Sequence, residues 1–319
     1  MELGVKMEQE ILQQPSTTRA TASAFPTSLS AELKSREIEL ILIAARGSSD
    51  NAAMYARYLF EIELGIPVVL AAPSVLTRYG RKVKYPKCLG IGISQSGAAP
   101  DVSEVIASLR EEGHTTIALT NTSDSRLTQS AEFSIFFEAG EERAVAATKT
   151  YSSSLVGLYE LCRSLGSALP SSIEFLPTDA WVEEARHAAA SAAGQIVRVT
   201  TVFSLARGYG FCTAIETSLK LMECALIPSK SYSTADFAHG PKALASHGTA
   251  AIVFGENVEW LEGQGCEIVL APAPPAHIPD QIKPIWDIIF GQWLALYVAR
   301  ARGLDPDHPR NLTKVTETR

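Results

Sequence analysis

The sequence lacks the features of a membrane protein, a zinc or disulfide protein, and a nucleic-acid-binding protein. None of its apolar runs reaches the ~20 residues that a membrane helix needs, and residues 1–14 are acidic and polar, unlike a signal peptide. The five cysteines are scattered, without the close pair of a zinc site or redox motif. The net charge of -7 opposes binding to a phosphate backbone. We therefore expect a cytoplasmic protein with reduced thiols, no nucleic-acid partner and no membrane contact.

Short apolar segments alternate with amphipathic ones along the chain. The apolar segments have the pattern of strands buried on both faces of a parallel sheet. Between several of them lie helical stretches such as 51–64 and 99–112, with apolar residues three and four positions apart. This alternation predicts an α/β fold. The predicted strands are Ile38–Ala44, Cys88–Ile93, Thr116–Leu119, Val199–Leu205, Ala250–Phe254 and Glu267–Leu270.

An internal repeat supports two similar domains. Adding 161 to positions 45–47, Ala-Arg-Gly, gives 206–208, again Ala-Arg-Gly, and Ile66-Pro67 corresponds in the same way to Ile227-Pro228. In both copies an apolar strand leads through Ala-Arg-Gly into an amphipathic helix that ends at an Ile-Pro break. With 319 residues and 46% hydrophobic content, the chain can bury two cores.

The stretch 166–179 carries two prolines and several serines without a steady period, so we predict a linker there. The expected organisation is an N-terminal helical segment at 1–35, a first domain at 36–165, a linker at 166–180 and a second domain at 181–319. About a dozen residues separate the predicted strands at 250–254 and 267–270, near the minimum for a parallel crossover. Either this crossover is abbreviated or these strands pair differently.

Small hydroxyl residues follow two predicted strands. Ser94-Gln95-Ser96-Gly97 leads from an apolar strand to a helix beginning near Pro100, and Gly47-Ser48-Ser49 follows another strand. Helix starts offer unpaired N–H groups and a positive dipole end to an anion, and such turns meet at the carboxyl edge of a parallel sheet. For one such turn alone, a serine N-cap is the simpler interpretation. Two turns together favour an anion site.

Three charged residues of the second half are spaced for one helix face. Glu216, Lys220 and Glu223 lie four and three positions apart, so Lys220 is predicted to keep Glu223 ionised. Proton transfer between neighbouring carbons of a sugar needs such a carboxylate in a dry pocket. The alternative is an ordinary salt bridge on a solvated helix face.

These segments together resemble the sugar isomerase (SIS) family, in the double-domain branch that includes the isomerase half of glucosamine-6-phosphate synthase. The resemblance extends from about residue 10 to the last residues. It implies an α/β fold of two tandem SIS domains, each a parallel sheet flanked by helices in a flavodoxin-like three-layer sandwich. The matching motifs are 94–97 (SQSG), 139–142 (AGEE), 145–149 (VAATK), 214–216 (AIE) with Lys220 and Glu223, 239–241 (HGP) and 309–314 (PRNLTK).

The resemblance implies a role for each matched position. Phosphate binding is implied for Ser48, Ser49, Ser94, Gln95 and Ser96, while Val145 and Ala147 back the sugar. Glu216 is expected to bind substrate, and Lys220 is expected to be catalytic together with Glu223. The resemblance further implies that Glu223 moves a proton between C1 and C2, that His239 assists ring opening, and that Lys314 approaches the carbonyl, where a lysine amine can form an imine.

For His239 and Lys314 the residues alone favour simpler interpretations. A single histidine beside Gly-Pro is usually a loop residue with one structural hydrogen bond, and a lysine near a chain end usually belongs to a frayed polar tail. The resemblance also implies a homodimer, because members of the family borrow the His-Gly-Pro loop from a neighbouring subunit. No metal or organic cofactor is expected, since clustered ligands and a nucleotide fingerprint are both missing.

Two features favour one branch of the family. The chain begins directly in the isomerase-like region, so we expect it not to draw ammonia from glutamine. Ala98-Ala99-Pro100-Asp101 follows Gly97, closer to stand-alone glucosamine-6-phosphate deaminases than to the synthase. The hypothesis is an isomerase that deaminates an amino sugar phosphate. The alternative reactions are cleavage of a glycated amino acid phosphate and isomerisation of another ketose phosphate, and residues 141–143 should decide among the three reactions. A further alternative is a non-catalytic sugar-phosphate sensor.

Overall fold

The structure, a computed structural model, describes residues 3–314, so residues 1–2 and 315–319 of the predicted domains lie outside the described residues. Its strands are β1 (Leu40–Ala44), β2 (Val68–Leu70), β3 (Cys88–Ser94), β4 (Thr115–Thr120), β5 (Phe133–Phe136), β6 (Thr201–Ala206), β7 (Ser229–Ser233), β8 (Thr249–Val253) and β9 (Glu267–Leu270). Its helices are α1 (Val5–Leu12), α2 (Gln14–Ala24), α3 (Thr27–Lys34), α4 (Ser48–Leu64), α5 (Ser74–Thr77), α6 (Pro100–Glu111), α7 (Arg126–Ser130), α8 (Lys149–Ser164), α9 (Asp179–Ile196), α10 (Phe211–Ala225), α11 (Thr234–His239) and α12 (Lys283–Ala301).

The described chain divides into two compact units. We call residues 16–141 and 149–174 the first unit, and residues 3–15, 142–148 and 175–314 the second unit. Each unit is built from separate stretches of the chain around its own sheet. The linear boundaries expected from the sequence stay a prediction.

The first unit contains a five-stranded parallel sheet in the order β2-β1-β3-β4-β5. Strands β3 and β4 are buried along their whole length, as their apolar sequences require. Helices approach β3 closely, because a Cβ added at Gly90 would lie 2.6 Å from Leu109 and one at Gly92 2.6 Å from Leu127. Glycine at these positions therefore lets α6 and α7 pack directly on the sheet.

The second unit contains a four-stranded parallel sheet in the order β7-β6-β8-β9. Strands β8 and β9 pair in parallel, with Ala250 opposite Glu267, although only a one-turn 3-10 helix at Glu259–Leu261 lies between them. The crossover is therefore abbreviated and the strands are not mispaired. Two parallel sheets flanked by helices confirm the predicted α/β class.

Helix α12 packs against both α9 and α10 in the second unit, and α1 packs on α9 and α12. The start of α1 is also tied to a distant stretch of the same unit. The N–H of Gly4 donates to Asp305, 2.9 Å, while those of Lys6 and Met7 donate to the two carboxylate oxygens of Asp307. These carboxylates accept hydrogen bonds from backbone N–H groups that have no partner within the first turn of a helix. Across residues 3–314 no helix combines the length and apolar character that a membrane crossing needs.

Candidate active site

The first serine turn follows β1. Gly47 has a φ of 57° and a ψ of -132°, a conformation that glycine adopts without strain, and α4 begins at Ser48. Ser48 and Ser49 are half-buried in the first turn of this helix. The N-cap position is Gly47, which has no capping side chain, so neither serine is an N-cap. The turn therefore places both serines at the start of α4.

The second serine turn follows β3, which ends at Ser94. The N–H of Gly97 donates to Ser94 Oγ, 3.2 Å, and that of Ala98 donates to Ser96 Oγ, 3.3 Å. Helix α6 begins at Pro100 as predicted, with Ala99 as an N-cap that has no capping side chain. The N-cap interpretation of these serines is therefore wrong, because their hydroxyls fix the turn that precedes the helix.

Gly97 is required by this second turn. Its φ is +64°, and an added Cβ would lie 2.2 Å from the Oγ of Ser125. The backbone carbonyl of Gln95 accepts hydrogen bonds from the N–H of Asn121, 3.0 Å, and the hydroxyl of Thr120, 3.2 Å. Ser94 is buried, while Gln95 and Ser96 are half-buried. The turn is therefore held from the adjacent strand β4, and the side chains of Gln95 and Ser96 remain partly accessible.

The two serine turns are joined by an ion pair. This ion pair was not predicted from the sequence. Strands β1 and β3 are neighbours, with Ala44 opposite Gly92, so the turns leave the same edge of the sheet. Arg46 Nε lies 2.7 Å from Oδ2 of Asp101, whose carboxylate is buried in the first turn of α6. The guanidinium is half exposed, at an edge that presents two helix starts. This arrangement suits a phosphate group.

The predicted charged face of α10 is buried and forms a triad. Lys220 Nζ lies 3.4 Å from Glu216 and 2.5 Å from Glu223. The side chains of Lys220 and Glu216 are 1% and 0% exposed, and that of Glu223 is 25% exposed. The alternative of a solvated helix face is therefore wrong. Burial lowers the pKa of Lys220, but the carboxylates of Glu223 and Glu216 outweigh it and hold this pKa above its usual range.

Glu223 is the member of the triad that reaches solvent. One of its oxygens accepts a hydrogen bond from the Lys220 ammonium, and the partly exposed side chain leaves room for a ligand. A carboxylate in this setting has the access and the fixed orientation that a general base needs. The i, i+3 and i, i+4 spacings therefore predicted the contacts of the triad.

His239 is exposed at the end of the short helix α11. It is a helix-terminal residue rather than the loop residue that the simpler interpretation favoured. No hydrogen bond within residues 3–314 joins it to Lys220 or Glu223. The structure of one chain therefore does not bring this predicted residue to the triad.

Lys314 is held in the second unit rather than frayed. Its Nζ lies 3.0 Å from Oε2 of Glu142 and donates to the carbonyl of Ala144, 2.6 Å. Glu142 belongs to residues 142–148, which we call the strap, and its Oε1 accepts the N–H of Thr148, 3.0 Å. The predicted sugar-backing residues Val145 and Ala147 are half-buried within the strap, alternating with buried neighbours. The structure therefore brings Lys314 to the strap.

Two further side chains hold the strap, and the sequence identified neither. The carboxylate of Glu10 on α1 accepts the N–H groups of Arg143 and Ala144. Burial raises the pKa of Glu10, the Arg143 N–H opposes this, and the nearby Glu142 adds to it. From α12, the amide of Gln292 donates to the carbonyl of Thr148, 3.3 Å. These partners lie more than a hundred residues away, so no local spacing could reveal them.

Comparisons with known proteins agree with this arrangement. Residues 36–161 match the SIS domain family. A glutamine–fructose-6-phosphate aminotransferase (isomerizing) of Methanothermobacter thermautotrophicus is 31% identical over 343 aligned residues, which cover 97% of this chain and 56% of that protein. The same-named protein of Pseudomonas syringae is 31% identical over 320 residues, 87% of this chain and 51% of that protein. The chain thus spans about half the length of the curated relatives it matches.

Two solved structures share the fold. The C-terminal domain of glucosamine-fructose-6-phosphate aminotransferase from Francisella tularensis has a TM-score of 0.80 at 22% identity, covering 94% of this chain and 97% of that one. Glucosamine-6-phosphate deaminase from Thermotoga maritima has a TM-score of 0.81 at 23% identity, covering 98% of this chain and 100% of that one. Both likenesses cover the two sheets.

Proposed function

We propose that this protein, which carries a domain of the SIS family at residues 36–161, is a phosphosugar isomerase. Its proposed substrate is an amino sugar phosphate. The reaction proposed is conversion of glucosamine 6-phosphate to fructose 6-phosphate and ammonia. The observation that carries the proposal is the buried triad of α10, in which Glu223 alone reaches solvent. Residues 181–319 are proposed to be a second SIS domain, supported by their parallel sheet and by the Ala-Arg-Gly repeat.

In this proposal Glu223 takes the proton from C2 of the open-chain sugar and returns it to C1. The product of that step is an imine at C2, which water hydrolyses to the ketose and ammonia. Lys220 keeps the carboxylate oriented through the 2.5 Å ion pair, with Glu216 as its second partner. Ser48, Ser49, Ser94, Gln95 and Ser96 bind the phosphate.

The relatives support the sugar-phosphate chemistry but do not distinguish the reaction. The aminotransferase domain and the deaminase are equally similar in fold, with TM-scores of 0.80 and 0.81. Deamination is supported by Ala98 and Ala99 after the second serine turn.

The test is a screen of hexose and hexosamine 6-phosphates with ammonia and ketose measured in the same reaction. We expect both products from glucosamine 6-phosphate in equal amounts. In Glu223→Gln, kcat should fall by about 10²–10⁴, the usual contribution of a general base. Glu184→Gln, which removes a charge from the exposed face of α9, is the matched control and should keep full activity.

Other outcomes would replace the proposal. Ketose formed from an aldose phosphate without ammonia indicates a plain isomerase. Tight retention of a sugar phosphate with no turnover indicates a sensor. Undiminished turnover by Glu223→Gln contradicts the role of that carboxylate.

We further propose a homodimer in which His239 of one subunit serves the site of the other. The exposed position of His239 at the end of α11 supports this, since one chain does not bring it to Glu223. Light scattering should give twice the mass of the chain. Mixing Glu223→Gln with His239→Ala under subunit exchange should restore turnover, because each mixed dimer keeps one intact site. Two inactive variants that stay inactive when mixed would contradict the sharing.

A further inference from the structure

The amine of Lys314 has two oxygen partners in the strap, and they leave it little freedom. It lies 3.0 Å from Oε2 of Glu142 and 2.6 Å from the carbonyl oxygen of Ala144. The carboxylate of Glu142 is 0% exposed and the lysine side chain 24% exposed. A buried carboxylate is stable only with such partners, so moving the amine away from Glu142 would be energetically costly.

Both carboxylate oxygens of Glu142 are engaged, and each has a different task. Oε2 holds Lys314, whereas Oε1 accepts the N–H of Thr148 at the end of the strap. Glu142 therefore links the first and last residues of the strap to each other and holds Lys314 against them. Ala144, in the middle, donates its N–H to Glu10 and accepts Lys314 at its carbonyl. The backbone around Val145 is fixed from both sides.

We propose that Glu142 is a positioning residue, which stores the Lys314 amine on the strap until an open-chain sugar is bound. This inference rests on the proposed function for its kinetic consequence. An amine forms an imine only through a free lone pair, so the Lys314 ammonium, whose side chain is 24% exposed, must first give up a proton to solvent. The nitrogen then adds to the carbonyl carbon, and the resulting carbinolamine loses water. Glu142 fixes the position of the amine before the reaction, and the amine must break its ion pair with Glu142 in order to react.

The decisive variant is Glu142→Gln, compared with Glu184→Gln. The amide oxygen of the glutamine still accepts the N–H of Thr148, so the variant removes the charge that holds Lys314 and keeps the closure of the strap. Glu184→Gln removes one exposed negative charge from the same unit. Any difference between the two variants then reports the contact with Lys314 rather than net charge.

The first measurement is independent of activity. Each variant is labelled briefly with an acetylating reagent, and acetylation of Lys314 relative to the exposed Lys34 is measured by peptide mass spectrometry. We expect the ratio to rise about tenfold in Glu142→Gln, as for the loss of one charge-assisted hydrogen bond, and to stay unchanged in Glu184→Gln. An unchanged ratio in Glu142→Gln overturns the inference.

The second measurement uses turnover. Loss of positioning should lower kcat at least tenfold while KM changes by less than about twofold, since Glu142 acts on the amine and not on phosphate binding. A KM effect with kcat intact overturns the positioning role. If the wild-type protein turns over no sugar phosphate, the proposed function fails, whereas the labelling ratio still decides whether Glu142 holds Lys314.

If Glu142→Gln does not fold, Lys314→Met answers the same question from the other partner. Removing the ammonium should loosen the strap, so amide hydrogen exchange of Thr148 should rise while that of α12 stays at the wild-type rate. Unchanged exchange at Thr148 means that Lys314 and Glu142 are not coupled and overturns the proposal.

Discussion

Replacing Lys220 by methionine should strongly destabilise the second unit. The ammonium lies 3.4 Å from Glu216 and 2.5 Å from Glu223, and at an effective dielectric constant of about 20 each attraction is about 5–7 kcal/mol. Desolvation of the buried ions offsets most of this. Removing one partner, however, leaves the desolvation cost of Glu216, so the variant should lose about 3–5 kcal/mol. For a unit of this size the melting temperature should fall by roughly 6–20 °C.

The assay is thermal unfolding by circular dichroism at several pH values. The folded-state pKa of Lys220 is raised, so its contribution is fully present at neutral pH and is lost only as pH rises through that higher value. In Lys220→Met the buried Glu216 can instead take up a proton, so the deficit should shrink towards pH 4. Adding Glu216→Gln should recover most of the loss, because an amide leaves no charge buried.

The control is Lys82→Met, since the pairs of Lys82 with Glu111 and Glu112 are largely exposed and should cost at most about 1 kcal/mol. Equal effects of Lys220→Met and Lys82→Met would refute the reasoning. A loss in Lys220→Met that is independent of pH would refute it as well, because it would indicate lost packing rather than loss of the buried ion pairs.

Three further predictions concern other parts of the chain. Gly97→Ala should lower the melting temperature more than Gly113→Ala, because both glycines have positive φ but only the first would meet Ser125, at 2.2 Å. Burial raises the pKa of Asp287 to about 8, so the folded protein loses stability as pH rises from about 4 to about 8 and this carboxyl becomes charged. Asp287→Asn should therefore raise the melting temperature at pH 8 and change it little at pH 4. A thiol reagent on the native protein should label Cys266, which is half exposed, before the four buried cysteines, as peptide mapping would reveal.

Local patterns predicted six of the nine described strands and missed three of the four edge strands. Apolar runs identified β1, β3, β4, β6, β8 and β9 to within about two residues. They missed β2, which has three residues, β5, which has four, and β7, whose sequence Ser-Lys-Ser-Tyr-Ser is polar. All three are edge strands that are less buried than the central ones, so none needs to carry a long apolar run.

The candidate site divides in the same way. Contacts within one helix, such as those of Lys220, follow from residue spacing, and the start of α6 followed from Pro100. The burial of the triad did not follow, because it depends on packing against α12. The pairs of Arg46 with Asp101 and of Glu142 with Lys314 join residues 55 and 172 positions apart, and only the folded chain reveals them.

The tie between α1 and residues 305–307 has a consequence for synthesis on the ribosome. The partners of the Met7 N–H are made 300 residues later, and Lys314 emerges 172 residues after Glu142. By contrast, the strands of the first sheet are complete once residue 136 has emerged. The first sheet can therefore form during translation, while α1 and the strap must wait for the last stretch of the chain. A paused ribosome near residue 300 would hold a nascent chain with one finished sheet and an unanchored beginning.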